Sequence, residues 1–334
     1  MAAARLCRSQ TGGELAILIQ GAQFLAGLFL LAVGAEGVVR GGSRLAVLWR
    51  VSPLVIGLTI VAFGTSAPEL AVSVSAAIHH DGELALSNVI GSNIFNVLVI
   101  LGFAALITPL TVQAAVIQRE VPIMLGVSVL VTALAWTFGR LGRAEGALCI
   151  VLLALYVIFS YWMARREPEG INEEYASFLR RTERPSLATN ALFVVGGLVL
   201  LAVGGNVLVD SAVFMARAWG LSERVIGLTL IAAGTSVPEA ATAIAAALRK
   251  EIDIAVGNVI GSNIFNLLGI AGTAALISPI DAHPALLRVD LPIMLAVSFA
   301  AVPIMLSHHR ISRTEGGALA AAYGVYLAFM LATR

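Results

Sequence analysis

The chain has 334 residues, of which 59% are hydrophobic and 12% carry a charge, and its net charge is +1. Globular domains average about 25% charged residues, so this composition excludes an ordinary soluble domain. The near-zero net charge gives no basis for a nucleic-acid partner, which would need a basic surface. Several apolar runs exceed the ~20 residues that cross a bilayer, so the sequence predicts an all-α polytopic protein of the lipid bilayer.

Hydropathy and helix breakers predict about ten transmembrane helices. The first and the sixth are long and rich in glycine, which is compatible with tilted helices. In chain order, the predicted spans are 15–39, 53–78, 83–107, 119–139, 144–165, 187–217, 224–248, 253–277, 287–307 and 313–332.

The second span contains the segment GTSAPE at 64–69, which a continuous membrane helix would avoid. Pro68 has no N–H and clashes with a continuous helix, so the span is expected to break in its middle. Thr65 and Ser66 are suited to cap the half-helix that follows. Broken backbone at this depth is tolerated only in a protein-lined cavity. A membrane-embedded carboxylate such as Glu69 is a functional group by default.

The third span places amides and a hydroxyl on one helical face. Ser92 and Asn96 lie one turn apart, Asn88 extends the face by another turn, and no His or Cys joins them. Oxygen ligands suit hard cations such as Na⁺ or Ca²⁺, which takes about 6–8 of them, and argue against zinc and copper. Asn93 fits equally well as a hydrogen-bonding contact that holds helices together.

The second half of the chain repeats the first. The paired positions include Glu69 and Glu239, Ser66 and Ser236, Ser92 and Ser262, and Asn96 and Asn266. Each half carries about five spans, and an odd number turns the second half upside down, as in the inverted repeats of secondary transporters. We therefore divide the chain into a first repeat over 1–165, a cytoplasmic linker over 166–186 and a second repeat over 187–334.

Two membrane-embedded glutamates make an empty site unfavourable. Their formal charge of −2 would be neutralised by one Ca²⁺ or by two Na⁺, so one occupant can leave as another arrives. No nucleophile–base pair or His/Cys cluster accompanies them, which argues against an enzyme or a cofactor. An uncoupled channel is poorly supported by an inverted repeat. The sequence indicates no obligate protein partner.

Lys and Arg residues predict the orientation. With ten spans, about 8 of them lie on the side of the two termini and about 13 on the side of the central loop. Because cytoplasmic loops carry the excess of positive charge, both termini are expected outside and the central loop in the cytoplasm.

With GTSAPE and GSNIFN in the first half, and GTSVPE and GSNIFN in the second, the chain resembles the sodium/calcium exchangers of the cation/calcium antiporter superfamily. The resemblance covers nearly the whole chain. It is greatest to the short prokaryotic members, because the central loop is too short for a calcium-sensing domain. It implies a prokaryotic inner-membrane antiporter that exchanges Na⁺ for Ca²⁺ by alternating access, with the long first and sixth helices sliding across a core of cation sites.

The resemblance also implies ligands. Calcium would be held by the carboxylates of Glu69 and Glu239 and the backbone carbonyls of Thr65 and Thr235. The sodium sites would add the hydroxyls of Ser66, Ser236, Ser92 and Ser262 and the carbonyls of Ala62 and Ala232, with Asn96 and Asn266 lining the middle.

A Ca²⁺/H⁺ antiporter that uses the same site remains open. In that case Glu69 and Glu239 would take up and release protons, and the sequence separates the two couplings poorly. Some relatives carry Asp where this chain has Asn266, and potassium-dependent members use such an Asp. The asparagine therefore weakens a potassium-coupled interpretation.

Overall fold

The computed structural model describes residues 2–49, 51–164, 186–220, 226, 230 and 232–333. The predicted linker, 166–186, lies outside the described residues except for Ser186. Most of the first part of the predicted seventh span, 224–248, lies outside them too.

The first half of the chain is helical. Its helices are α1 (Ala2–Trp49), α2 (Pro53–Thr65), α3 (Ala67–Ile78), α4 (Gly82–Ile107), α5 (Val116–Phe138) and α6 (Arg143–Ala164). Proline lies in the first turn of α2 and α3, where its missing N–H would have no helical partner. Single π turns lie within α2 at Gly57–Val61 and within α4 at Asn96–Ile100, and another forms the start of α5 at Val116–Glu120.

The described part of the second half follows the same order. Its helices are α7 (Leu187–Ala218), α8 (Ala232–Gly234), α9 (Val237–Leu248), α10 (Ile252–Ile277), α11 (Leu286–Leu306) and α12 (Arg313–Thr333). π turns recur in α10 at Asn266–Ile270 and in α11 at Leu286–Asp290, the positions equivalent to those in α4 and α5.

Among the described residues, 8 helices are long and apolar enough to cross a membrane, namely α1, α4, α5, α6, α7, α10, α11 and α12. α2 and α3 form a ninth candidate together, bent by 46° at Ser66. The predicted break in the second span is therefore confirmed. α9 is a shorter apolar helix that covers the second part of the predicted seventh span.

Short strands, absent from the all-α prediction, join loops from the two halves. β1 (Leu110–Thr111) pairs antiparallel with β4 (Arg310–Ile311). β2 (Arg140–Leu141) pairs antiparallel with β3 (Ile280–Asp281). Each strand has two residues, which is too short to give the alternating pattern by which strands are predicted.

α1 and α7 pack against each other through glycines. A Cβ on Gly34 would lie 2.8 Å from the carbonyl oxygen of Gly197, and a Cβ on Gly204 would lie 3.0 Å from that of Gly27. Glycine alone allows backbones to approach this closely. The two backbones therefore come into direct contact at these glycines, and side chains such as Leu30 and Leu208 pack beside them.

α10 lies at the centre of the molecule. Its most apolar stretch is fully buried, whereas that of α12 is 17% buried. Gly261 brings α10 against α2, since a Cβ there would lie 2.7 Å from the Cα of Leu58. The polar side chains of α10 are consequently enclosed by protein rather than by lipid.

Candidate ion-binding site

The two motif segments lie at two helix breaks. Ser66 separates α2 from α3, and the turn at Thr235 and Ser236 separates α8 from α9. Glu69 and Glu239 lie in the first turns of the helices that follow. The positive end of the helix dipole favours negative charge at that position.

Ser66 occupies the predicted N-cap position of α3, but its side chain makes no capping hydrogen bond to this helix. Instead its hydroxyl donates to Oε1 of Glu239 at 2.7 Å, and the hydroxyl of Ser236 donates to Oε1 of Glu69 at 2.8 Å. Each serine thus donates a hydrogen bond to the glutamate of the other half. Sequence rules for local structure do not predict such a contact.

The second oxygen of each glutamate is left without a hydrogen bond. Glu69 and Glu239 are 0% and 1% exposed, and Oε2 of each is buried with no partner among the described residues. Nor does a basic side chain in the described part of the chain form an ion pair with either carboxylate. Two buried carboxylates in this condition are costly unless bound cations or protonation neutralise them.

Glu120 differs from Glu69 and Glu239 in its hydrogen bonding. It is also buried, but its Oε1 accepts from Arg119 Nε at 2.9 Å and its Oε2 accepts from the Tyr156 hydroxyl at 3.1 Å. Both of its oxygens have protein partners, so we assign it a structural role. This carboxylate was not among the predicted functional residues, although it lies close to the start of a predicted span.

Two asparagines donate hydrogen bonds to backbone carbonyls next to the two helix breaks. The amide of Asn88 donates to the carbonyl of Glu69 at 3.2 Å, and Asn258 donates to that of Glu239 at 3.4 Å. The Thr65 hydroxyl in turn donates to Oδ1 of Asn258 at 3.1 Å. Neither asparagine was among the predicted ligands, although their repetition on the face of Ser92 and Ser262 was a usable signal.

A second cluster joins α4 to α10. Asn96 donates to Oδ1 of Asn263 at 3.0 Å, while Asn266 donates to Oγ of Ser92 at 3.0 Å and to Oδ1 of Asn93 at 3.1 Å. The amide nitrogens are therefore used to hold the helices together. Among the described residues, Oδ1 of Asn96, Oδ1 of Asn266 and Oγ of Ser262 are buried without a partner.

The predicted backbone ligands are less well defined. The carbonyl of Ala62 accepts from the Ser66 N–H at 3.1 Å, and the Thr65 hydroxyl lies within hydrogen-bond distance of its second lone pair at 3.4 Å. In the second half the Ser236 N–H donates to Ala233 rather than to Ala232, at 3.2 Å. The two halves therefore differ in local backbone geometry at the positions of the predicted carbonyl ligands.

A cavity of ≈750 Å³ reaches the site. Its lining includes Pro68 and Thr235 from the two breaks, together with Asn206 of α7 and His79 beyond α3. The buried oxygens nearby are hard ligands, and the described part of the chain has no group of three or more His, Cys, Asp or Glu residues that could hold a metal. Buried oxygens of this kind are the ligands that hard cations prefer.

Comparison with known proteins decides the family. A model of the family described as "Sodium/calcium exchanger protein" matches residues 20–162 and 189–332. The chain belongs to the sodium/calcium exchanger family. It is therefore a multi-pass membrane antiporter and not an enzyme, as the motifs indicated.

Individual relatives of this exchanger support the same family assignment. The inner membrane protein YrbG of Escherichia coli is 39% identical over 84% of this chain and 87% of its own length. The putative antiporter CaxA of Alkalimonas amylolytica is 39% identical over 90% of this chain and 94% of its own length. The sodium/calcium exchanger MaX1 of Methanosarcina acetivorans is 31% identical over 91% of this chain and 96% of its own length.

A solved structure has the same fold. The sodium-calcium exchanger NCX_Mj, soaked with Na⁺ and Sr²⁺, superposes with a TM-score of 0.80 at 29% identity, covering 93% of this chain and 98% of that chain. The exchanger described here thus shares its architecture with a protein whose ion exchange has been studied structurally.

Proposed function

We propose that this exchanger moves Ca²⁺ against Na⁺ by alternating access to a site built on Glu69 and Glu239. The observation that carries the proposal is the pair of buried Oε2 atoms, which have no hydrogen-bond partner among the described residues. Their combined charge of −2 suits one Ca²⁺ or two Na⁺, and their oxygens suit either ion.

The remaining ligands are proposed from the motif positions and from the contacts around them. Beside the two glutamates they are Thr65, Thr235, Ser66, Ser236, Ala62, Ala232, Ser92, Ser262, Asn96 and Asn266. The hydroxyls of Ser66 and Ser236 donate hydrogen bonds to the carboxylates. The buried oxygens of Asn96, Asn266 and Ser262 that have no partner among the described residues support these three residues as ligands.

We further propose that the halves 1–165 and 187–334 are inverted repeats of about five spans each. The loop pairings support this arrangement. β1 and β4 lie in loops that ten spans would place on one side, and β2 and β3 lie in loops that ten spans would place on the other. The excess of Lys and Arg then puts the β1–β4 side and the linker in the cytoplasm and the termini outside.

The test is ⁴⁵Ca²⁺ uptake into proteoliposomes. Vesicles loaded with Na⁺ should take up calcium when diluted into Na⁺-free medium, because outward Na⁺ movement drives the exchange. Vesicles with only a proton gradient should not. Glu69→Gln should abolish uptake, whereas Glu83→Gln, which changes an exposed carboxylate outside the site, should retain it.

Uptake driven by the proton gradient alone would instead assign the same site to Ca²⁺/H⁺ exchange. Normal Na⁺-driven uptake by a folded Glu69→Gln protein would refute the two-glutamate site.

A further inference from the structure

Two cavities in the molecule occupy equivalent places in the two halves. The larger, of ≈750 Å³, lies between α7 and α3 and reaches Thr235. The smaller, of ≈580 Å³, lies between α1 and α9. Ala71 lines the first and Ala241 lines the second, at matching positions of the repeat. Each cavity therefore separates one of the two long helices from one of the two helices that begin with a motif glutamate.

The two cavities differ in what lies beside them. In the smaller one, Arg249 at the end of α9 forms an ion pair with Glu36 of α1, which is also paired with Arg40 one turn away. At the matching positions of the larger cavity, Asn206 replaces Glu36 and His79 replaces Arg249. Nδ1 of His79 lies 2.8 Å from the carbonyl of Ser75, and in the described part of the chain no polar contact joins His79 to Asn206.

We infer that Glu36 and Arg249 are positioning residues for ion exchange, and that their ion pair fastens α1 to the end of α9 and holds that side of the site closed. The inference rests on the proposed alternating-access function. Opening the smaller cavity requires α1 to move away from α9, and the ion pair must then break. Because Asn206 and His79 cannot form an equivalent pair of opposite fixed charges, the resting carrier favours the state in which the cavity at Thr235 is open.

The expected size of the effect follows from exposure. The side chains of Arg249 and Glu36 are 35% and 33% exposed. A partly exposed ion pair of this kind shifts an equilibrium by about two- to fivefold. A change of this size in the ratio of two carrier states is measurable as a change in the accessibility of the two cavities.

The experiment measures accessibility of the two cavities directly. In a background of Cys7→Ala and Cys149→Ala, a single cysteine is placed at Ala71→Cys or at Ala241→Cys. The rate of labelling by a small polar thiol reagent is then measured on purified full-length protein in detergent. Labelling needs no transport, so its outcome is independent of whether the coupling ion is Na⁺ or H⁺.

Arg249→Gln should raise the labelling rate of Ala241→Cys and lower that of Ala71→Cys, changing their ratio by about two- to fivefold. Glu36→Gln should act in the same direction from the other helix. Arg249→Lys keeps the charge and should restore the original ratio. Arg40→Gln is the matched control, because it removes the contact of Glu36 within α1 and leaves the contact between helices intact.

Equal labelling ratios in the Arg249→Gln and Arg40→Gln proteins would overturn the inference. A failure of Arg249→Lys to restore the ratio would also overturn it. Should Arg249→Gln not yield folded protein by size-exclusion chromatography, Glu36→Gln answers the same question. A protein that passes this test but shows no Na⁺-driven uptake would retain the ion pair's role and lose the proposed coupling.

Discussion

The two motif copies are nearly identical in sequence, yet they are packed differently. Asn258 is fully buried, whereas Asn88 is half-buried. The hydroxyl of Ser92 accepts from Asn266, while that of Ser262 has no partner among the described residues. The same donors and acceptors are therefore available in both halves, but they are used differently in this state.

This difference is expected of a carrier made from two related halves. Under the proposed alternating-access mechanism, the two halves adopt unlike conformations at any one time. The charges of the proposed site are shared between the halves, whereas the helix contacts around the charges are not. Variants at matching positions should therefore separate residues that bind ions from residues that set the conformation.

The largest effect should be the same in both halves. Glu69→Gln and Glu239→Gln should each reduce calcium exchange on the order of 100-fold or more, because each removes half of the negative charge that faces the ion. The measurement is ⁴⁵Ca²⁺ flux in proteoliposomes, with folding checked by size-exclusion chromatography. A folded variant in one half that retains normal flux would break the proposed equivalence of the glutamates.

The next effect should differ between the halves. A Cβ on Gly261 would lie 2.7 Å from the Cα of Leu58 and 2.8 Å from the Cβ of Ala62, whereas a Cβ on Gly91 would meet no described atom within 4 Å. Gly261→Ala should therefore destabilise the protein by about 1–3 kcal/mol, and Gly91→Ala should be close to neutral. Thermal unfolding in detergent measures both, and equal melting temperatures would contradict the packing difference.

The smallest effect concerns the two serines. Ser92→Ala removes an acceptor from Asn266 and should cost about 1 kcal/mol of stability. Ser262→Ala removes an oxygen that has no hydrogen-bond partner in the described part of the chain, so stability should change little. Its expected consequence is a higher Na⁺ concentration for half-maximal exchange.

Thermal unfolding and the sodium dependence of ⁴⁵Ca²⁺ flux should be measured on both serine variants. A Ser262→Ala protein that loses stability while keeping its sodium dependence would assign this hydroxyl to packing instead of ion binding.

The glycines show why the asymmetry was not predicted. Gly257 is equivalent to Ser87 of the first half, and the sequence alone provides no interpretation of this difference. In the structure a Cβ on Gly257 would lie 2.8 Å from the carbonyl oxygen of Leu54, so the position has no room for a side chain. Ser87 has no such restriction because it is partly exposed.

The sequence by itself determined the membrane class, the family, the repeat and the break near Pro68, because each depends on local composition, on a helix breaker or on a repeated motif. It also selected the two glutamates, since a carboxylate in an apolar span is rarely without a role. Their place as a site remains a proposal that the contacts support.

Tertiary structure alone decided which groups meet. The Ser66–Glu239 and Ser236–Glu69 bonds join residues 173 and 167 positions apart, and the strand pairs and the Glu36–Arg249 ion pair also cross between the halves. Local rules instead assigned the Ser66 hydroxyl to capping the helix that it precedes. Long-range partners depend on how whole helices pack, and packing is governed by shape and by burial of polar groups, which a one-dimensional pattern does not contain.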